Sequence, residues 1–351
     1  MKKTLLLNAI IGIDLGDRKH AVCVLDPAGK IVQETTITNT RESLSRLVAR
    51  CPEALIAIEV GSHSPWISRF LTALGCEVVV ANSCKMRAIY QNERKSDELD
   101  ARMLAKLARA DVSLLHPIEH VSERAQRDLS RIKLRDNLVR QRVDVISSVR
   151  FILKSIGIAL PSPNTNCFAK RVRPILGDAE PEMLAAVEPS LQVIDVMTAK
   201  IKELDREIGR LCEENYPETA RLRGIRGVGP ITALTFLLTI GDAQRFGRPR
   251  EVGAYLGLVP RRDQSGGTDK SLRITKCGNA YLRRLLVGSA QYLLGPFGGD
   301  CDLREHGLKL AGRGGRGAKK KAVVAIARKL AVVMLSVWQN GTDYEPVRRA
   351  G

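Results

Sequence analysis

Lys95-Ser96-Asp97-Glu98-Leu99-Asp100-Ala101 leads into the run Met103-Leu104-Ala105-Leu107-Ala108, whose apolar spacing predicts a helix. Residues three apart share a helix face, so Asp97 and Asp100 point the same way. Two carboxylates that close repel unless a cation or an Arg or Lys sits between them. Two more acids end apolar runs upstream: Asp14 closes Ile10-Ile11-Gly12-Ile13-Asp14, and Glu59 closes Ala54-Leu55-Ile56-Ala57-Ile58-Glu59. If those runs are neighbouring strands, both acids meet at one sheet edge. Four carboxylates gathered there would suit Mg2+, which takes hard oxygen donors. The rest of the chain would then deliver nucleic acid to that place.

The flanking segments read in the same vein. Residues 9–14, His20 to Asp26 and Lys30 to Thr38 make three strands in a meander, with Pro27-Ala28-Gly29 as a turn. Thr40-Arg41-Glu42-Ser43 opens an amphipathic helix to about Cys51. Residues 54–59 form a continuous apolar strand of the kind found at a sheet centre. Ser64-Pro65 starts a helix to Leu74, Cys76 to Ala81 is another buried strand, and helices bearing Arg87 and Asp97 follow. Three meander strands, then strand–helix–strand–helix, is the element order of an α/β ribonuclease-H-like domain.

Pro117 closes this part, giving a first domain over 1–117. Residues 119–156 then read as a helix, with Leu129, Ile132, Leu138, Val143, Ile146, Val149 and Leu153 at mixed three- and four-residue spacing. Residues 160–175, with Pro161, Pro163 and Pro174, read as a loop. Residues 190–214 read as a second amphipathic helix through Leu191, Ile194, Val196, Ile201, Leu204, Ile208 and Leu211. The two helices make either an antiparallel coiled coil between subunits or a hairpin packed on its own domain. They define a linker over 118–215, and 216–351 is a third, mainly α-helical part.

Charge separates that third part from the others. The net charge is +18, and residues 216–351 carry 24 Lys and Arg against 10 Asp and Glu, so 14 of it lies there. A polyanionic partner is expected. Aromatic residues are only 4% of the chain, which argues against base stacking as the main mode of binding. Eight scattered cysteines without any Cys-x-x-Cys pair argue against a disulfide framework or a zinc site and point to reduced cytosolic thiols. No run is expected to span a membrane, and the apolar start after Met1-Lys2-Lys3 leads into a strand without a cleavage site. A cytoplasmic protein, with the nucleoid as its place of action, is the expectation.

The basic part holds the motifs. Arg223-Gly224-Ile225-Arg226-Gly227-Val228-Gly229-Pro230-Ile231 reads as a helix-hairpin-helix turn, with Gly227 and Gly229 exposing backbone N–H groups to phosphate and Pro230 in a first helical turn. A tight glycine turn with no ligand is the plainer reading. Downstream, Val259-Pro260-Arg261-Arg262-Asp263-Gln264-Ser265-Gly266-Gly267 reads as a glycine-rich loop whose arginines can hold a phosphate bidentately. Ser265 in it is either a nucleophile or a phosphate-contacting hydroxyl. Lys276 in Ile274-Thr275-Lys276-Cys277-Gly278-Asn279 and the strip Arg313, Arg316, Lys319, Lys320 and Lys321 are further phosphate contacts, or solvated charge.

Taken together, these residues resemble the DEDD transposases of certain insertion sequences, relatives of the Piv-type DNA invertases that are understood as bridge-RNA-guided serine recombinases. The likeness rests on Ile13-Asp14-Leu15-Gly16, on Lys95-Ser96-Asp97 through Asp100-Ala101, on the Gly224-to-Pro230 hairpin, and on Gly257-Leu258-Val259-Pro260-Arg261 followed by Ser265-Gly266-Gly267 and Ile274-Thr275-Lys276-Cys277-Gly278-Asn279. It covers nearly the whole chain. It implies a RuvC-like N-terminal domain, a coiled-coil linker and a C-terminal transposase domain. It carries the catalytic acids onto Asp14, Glu59, Asp97 and Asp100 as Mg2+ ligands and the nucleophile onto Ser265, with Ser271 as competitor. It further implies double-stranded donor and target DNA, a structured guide RNA and a dimer or tetramer whose active sites are shared between subunits. The rival readings are a metal-dependent RuvC-like nuclease using water, a sugar-kinase-like or actin-like ATPase, and a DNA-binding protein with inactive acids. The ATPase reading lacks a second glycine-rich phosphate loop and leaves the basic C-terminal part without a task.

Overall fold

The computed structural model describes residues 7–82, 85, 96–160, 164–265 and 268–346, with backbone only at 178–179, 263–265 and 268–271. The expected helix bearing Arg87, and Gly266 and Gly267, lie outside the described residues. The chain divides into two compact units, 1–120 and 121–351.

The first unit is a five-stranded mixed sheet in the order β3-β2-β1-β4-β5. Strands β1 (Ile10–Leu15), β2 (Lys19–Leu25) and β3 (Ile31–Thr38) form the antiparallel meander. Strands β4 (Leu55–Glu59) and β5 (Glu77–Ala81) add in parallel, with Ile13 opposite Ile58 and Glu59 opposite Ala81. Helices α1 (Arg41–Val48) and α2 (Ser64–Ala73) cover one face, where Ile11, Ile13, Ile56, Ile58, Ile67 and Leu71 are fully buried. Thr40 caps α1 by accepting from the Ser43 N–H. Helix α3 (Asp97–Ala110) covers the other face, over Ala21, Cys23, Ala57 and Val79. Among the described residues the observed order of strands and helices is the expected one, and the topology is consistent with a RuvC-like domain.

The second unit is mainly helical. Helices α4 (Glu123–Ser155) and α6 (Pro181–Glu214) pack along each other, with α5 (Phe168–Ala179) against one end of the pair. The loop expected over 160–175 is therefore corrected from Phe168 onward. Phe168, Ala169, Val172 and Leu176 are buried at helical spacing, and this burial outweighs the hydrogen bond that Pro174 removes. The second long helix likewise begins at Pro181, not near 190. Pro181 occupies its first turn, where no donor is needed, and Pro189 lies inside it.

The other end of the pair packs on the C-terminal part. Leu129 and Ile132 of α4 and Ile208 and Cys212 of α6 bury against Leu234 and Leu238 of α8 (Pro230–Ile240), which follows the short α7 (Thr219–Arg223). Tyr216 donates to Asp128 at 2.8 Å; burial and that carboxylate push its phenol up to about 12. A short α9 (Val252–Tyr255) precedes the two-stranded ribbon β6 (Pro260–Ser265) and β7 (Thr268–Ile274). Helices α10 (Ala280–Leu294), α11 (Asp302–Ala311) and α12 (Ala318–Asn340) complete a core around Phe236, Leu256, Leu286, Ile326 and Leu330.

Helix α12 corrects the expectation that no run could span a membrane. By length and composition it is apolar enough to do so. Its apolar residues Ile326, Leu330, Ala331, Met334 and Leu335 are instead buried in the core of this unit, the setting in which an apolar soluble helix is stable.

Candidate functional site

The acids of the first unit sit at one end of its sheet. Strand alternation puts Asp14 on the same face as Ile10 and Gly12, and Glu59 on the same face as Leu55 and Ala57, the face that α3 covers. The parallel register that pairs Ile13 with Ile58 brings the next residues, Asp14 and Glu59, to matched positions on adjacent strands. Ser96 caps α3 by accepting from the Leu99 N–H at 3.2 Å, so Asp97 and Asp100 lie in its first turn, where carboxylates meet the positive end of the helix dipole. Asp97 is exposed, while Asp100 is only 8% exposed.

What holds α3 against the sheet is a glycine. A Cβ on Gly12 would lie 2.0 Å from the Ala101 carbonyl oxygen and 2.6 Å from the Ala105 nitrogen, so no other residue lets the helix come this close. Arg102 adds a bidentate pair to Glu34 on the edge strand β3, at 2.8 and 2.9 Å, and holds that carboxyl below its usual range. At the same sheet end the loop after β1 is tied to the start of α2. His63 Nε2 lies 3.0 Å from an Asp17 carboxylate oxygen, and Trp66 Nε1 donates to His63 Nδ1 at 3.3 Å.

Four carboxylates have the donor chemistry of a Mg2+ site. Among the described residues, however, no three His, Cys, Asp or Glu side chains stand close enough to share one ion.

The phosphate-contact candidates belong to the second unit. Gly227 has a φ of +79°, and a Cβ there would press on the Leu293 side chain and the Ser289 carbonyl at 3.0 and 3.1 Å. Gly229 precedes α8 in an extended conformation and faces open space, with Pro230 following at the first helical position. Ile225 and Val228 are buried beneath this turn. Lys319, Lys320 and Lys321 occupy the exposed first turn of α12, where their charge adds to the helix dipole and favours an anion; Arg313 and Arg316 are exposed just before it.

The stretch around Ser265 is a ribbon rather than the expected loop. Ser265 ends β6 opposite Thr268, with Gln264 opposite Asp269 and Arg262 opposite Ser271. In sequence, two glycines between extended runs are a hairpin signal. The side chains of Ser265 and Ser271 lie outside the described residues. Arg261 and Arg262 are exposed, as is Lys276, which holds a φ of +58°. The base of the ribbon is fixed by Gly257 and Gly278, both at positive φ. A Cβ would lie 2.4 Å from the Cys277 backbone at the first and 2.0 Å from the Tyr255 carbonyl oxygen at the second. Arg283 donates to the Leu256 and Cys277 carbonyls at 2.9 and 2.7 Å, and Arg284 pairs with Asp136 of α4 at 2.6 Å, so both arginines are engaged within the unit.

Sequence reading passed over Arg245, Arg248 and Arg250. The signal was present as Gln244-Arg245-Phe246-Gly247-Arg248-Pro249-Arg250, a basic stretch punctuated by Gly and Pro.

Comparison with known proteins places this chain. A model of the DEDD transposase domain of IS110-type elements matches residues 11–158, and so spans all four acids. A second, described as a transposase of the IS116/IS110/IS902 family, matches residues 219–296, and so spans the glycine turn and the ribbon. Among curated relatives, the transposase for insertion sequence element IS1111A of Coxiella burnetii is 27% identical over 97% of this chain and 91% of its own length. The transposase for IS1328 of Yersinia enterocolitica is 28% identical over 80% of this chain and 83% of its own. A probable family 20 transposase of Pseudomonas aeruginosa is 26% identical over 96% and 98%. The class is that of insertion-sequence transposases, whose work is the cutting and rejoining of DNA. Within it, this chain belongs to the IS116/IS110/IS902 family.

Proposed function

We propose that this transposase joins donor and target DNA by transesterification through Ser265. The ribbon carries this reading. A serine at the turn end of an exposed, arginine-bearing hairpin is well placed to enter a DNA backbone, and the same chain supplies a RuvC-like sheet whose acids share one end. Ser265 Oγ attacks the scissile phosphorus, the P–O3′ bond breaks, and the 3′-oxygen leaves as a hydroxyl with the serine's proton. The phosphodiester energy is kept in a serine–phosphate ester on the 5′ end. A 3′-hydroxyl of the partner strand then attacks that phosphorus, the ester breaks, and Ser265 recovers a proton; nothing is hydrolysed. Arg261 and Arg262 steady the phosphate oxygens, and Lys276 and the Arg313-to-Lys321 strip hold the flanking backbone.

Asp14, Glu59, Asp97 and Asp100 are the residues that would hold Mg2+. No step is routed through the ion, because the carboxylates as described do not converge on one point. Sequence choice falls to a structured guide RNA paired with both DNAs. The functional parts are a RuvC-like domain at 1–117, a coiled-coil linker at 118–215 and a transposase domain at 216–351, with acids and serine of one active site drawn from different subunits of a dimer or tetramer. The place of action is the cytoplasm, at the nucleoid.

The test is covalent trapping. The protein is incubated with its element's DNA ends, the flanking noncoding RNA and Mg2+, and wild type and Ser265→Ala are run side by side on a denaturing gel. A protein–DNA adduct lost in Ser265→Ala and retained in Ser271→Ala is expected. Cleaved DNA without adduct, at equal rates in wild type and Ser265→Ala, would replace this mechanism with water hydrolysis.

A further inference from the structure

The turn between α8 and α9 carries Arg245, Arg248 and Arg250, which the reaction above does not use, and it is built unlike a simple connection. Gln339, on core helix α12, gives both of its amide hydrogens to this turn, to the Ala243 carbonyl at 2.8 Å and the Phe246 carbonyl at 3.0 Å. Asp242 caps the turn by accepting from the Gln244 N–H at 2.8 Å. The Arg245 guanidinium lies over the Phe246 and Tyr255 rings, 5.6 and 5.1 Å from their centres, and donates to the Ile240 carbonyl. Arg248 and Arg250 are exposed and make no ion pair among the described residues. Between 241 and 251 only Asp242 and Glu251 offset the three arginines.

Tyr255 links this turn to the ribbon. Its ring stacks on Arg245, and its carbonyl is the atom against which Gly278 closes the ribbon's base. The arginines and the strand that ends in Ser265 are thus parts of one braced segment. Gln339, Asp242 and Arg245 hold the backbone that carries Arg248 and Arg250, so less of the turn has to be ordered on binding.

We propose that the 243–251 turn is a separate contact for the backbone of duplex DNA, in which Arg248 and Arg250 each hold a phosphate, with Arg245 and Gln339 as positioning residues. The proposal rests on the DNA-joining reading above.

It is tested with the full chain and a labelled DNA duplex of arbitrary sequence, by anisotropy across a range of KCl. Arg248→Ala/Arg250→Ala should bind roughly tenfold more weakly at low salt, with the slope of log affinity against log salt shallower by about two. Arg206→Ala/Arg210→Ala, on the exposed face of α6, removes the same charge elsewhere and should leave the slope near wild type. Gln339→Leu keeps every arginine and should weaken binding severalfold while still melting cooperatively. Wild-type slope in the turn variant, an equal loss in the α6 variant, or a loss confined to duplex RNA of the same sequence would overturn the proposal. Wild-type affinity in Gln339→Leu would overturn the bracing role. If wild type itself shows no salt-dependent DNA binding, it is the DNA-joining reading that fails.

Discussion

The acids of the sheet and the arginines of the ribbon are held by opposite devices. Asp14 and Glu59 end strands with buried interiors, Asp100 is itself buried, and the helix behind them rests on backbone at Gly12. In the ribbon Arg261, Arg262, Leu272 and Arg273 are exposed, and its fixed points lie at the base, at Gly257, Gly278 and Arg283. A rigid charge array suits chemistry that tolerates little misplacement. An element fastened at one end can let its tip follow a bulky substrate. Under the proposed function, geometry would be set in the first unit and fitted to DNA in the second.

The sharpest test of that contrast is Gly12→Ala. Its Cβ would meet two backbone atoms of α3, so the helix must move, and a loss of about 3 kcal/mol is expected by thermal melting, together with loss of DNA joining. An active, stable Gly12→Ala protein would break the claim that backbone contact sets the acids. Gly278→Ala comes next. It places a Cβ 2.0 Å from the Tyr255 carbonyl at a φ of +71°, and about 2 kcal/mol should be lost, with hydrogen exchange accelerating around the ribbon's base while the sheet amides of the first unit stay protected.

A smaller effect concerns acid. His20 is fully buried, and burial is the main reason its pKa falls below the ordinary 6.5. The unfolded chain then takes up the proton first, so stability is lost as pH falls below about 6.5. Melting of wild type should drop between neutral and mildly acidic pH, and His20→Gln should flatten that drop. An unchanged profile would show that His20 is not the group responsible. The smallest effect is expected for Arg102→Ala. Its pair with Glu34 is about one-third exposed on both sides, so melting should fall by no more than about two degrees. A fall as large as that of Gly12→Ala would mean that the ion pair, not the glycine, holds α3.

Much of this was legible in the chain. Short-range physics writes itself into local sequence: alternation and apolar runs marked the five strands, Thr40-Arg41-Glu42-Ser43 and the apolar spacing after Asp100 marked their helices, and the three-residue spacing of Asp97 and Asp100 fixed their shared face. The positions of the four acids followed, because strand ends and a helix start are local features. The ribbon was half legible, since Gly266-Gly267 is a hairpin signal that the surrounding arginines disguised as a loop. Helix 168–179 was hidden by its prolines, because whether burial of Phe168, Val172 and Leu176 outweighs Pro174 depends on what α4 and α6 place against them. Gln339 reaching back to Ala243 and Phe246, Gly12 meeting Ala101, and Gly278 meeting Tyr255 join residues far apart in sequence. No periodicity records such meetings. The sequence by itself determined most of the elements and the charges they carry; only the tertiary structure decided whether 168–179 is helical and which backbones touch, because close packing is settled between distant segments rather than within one.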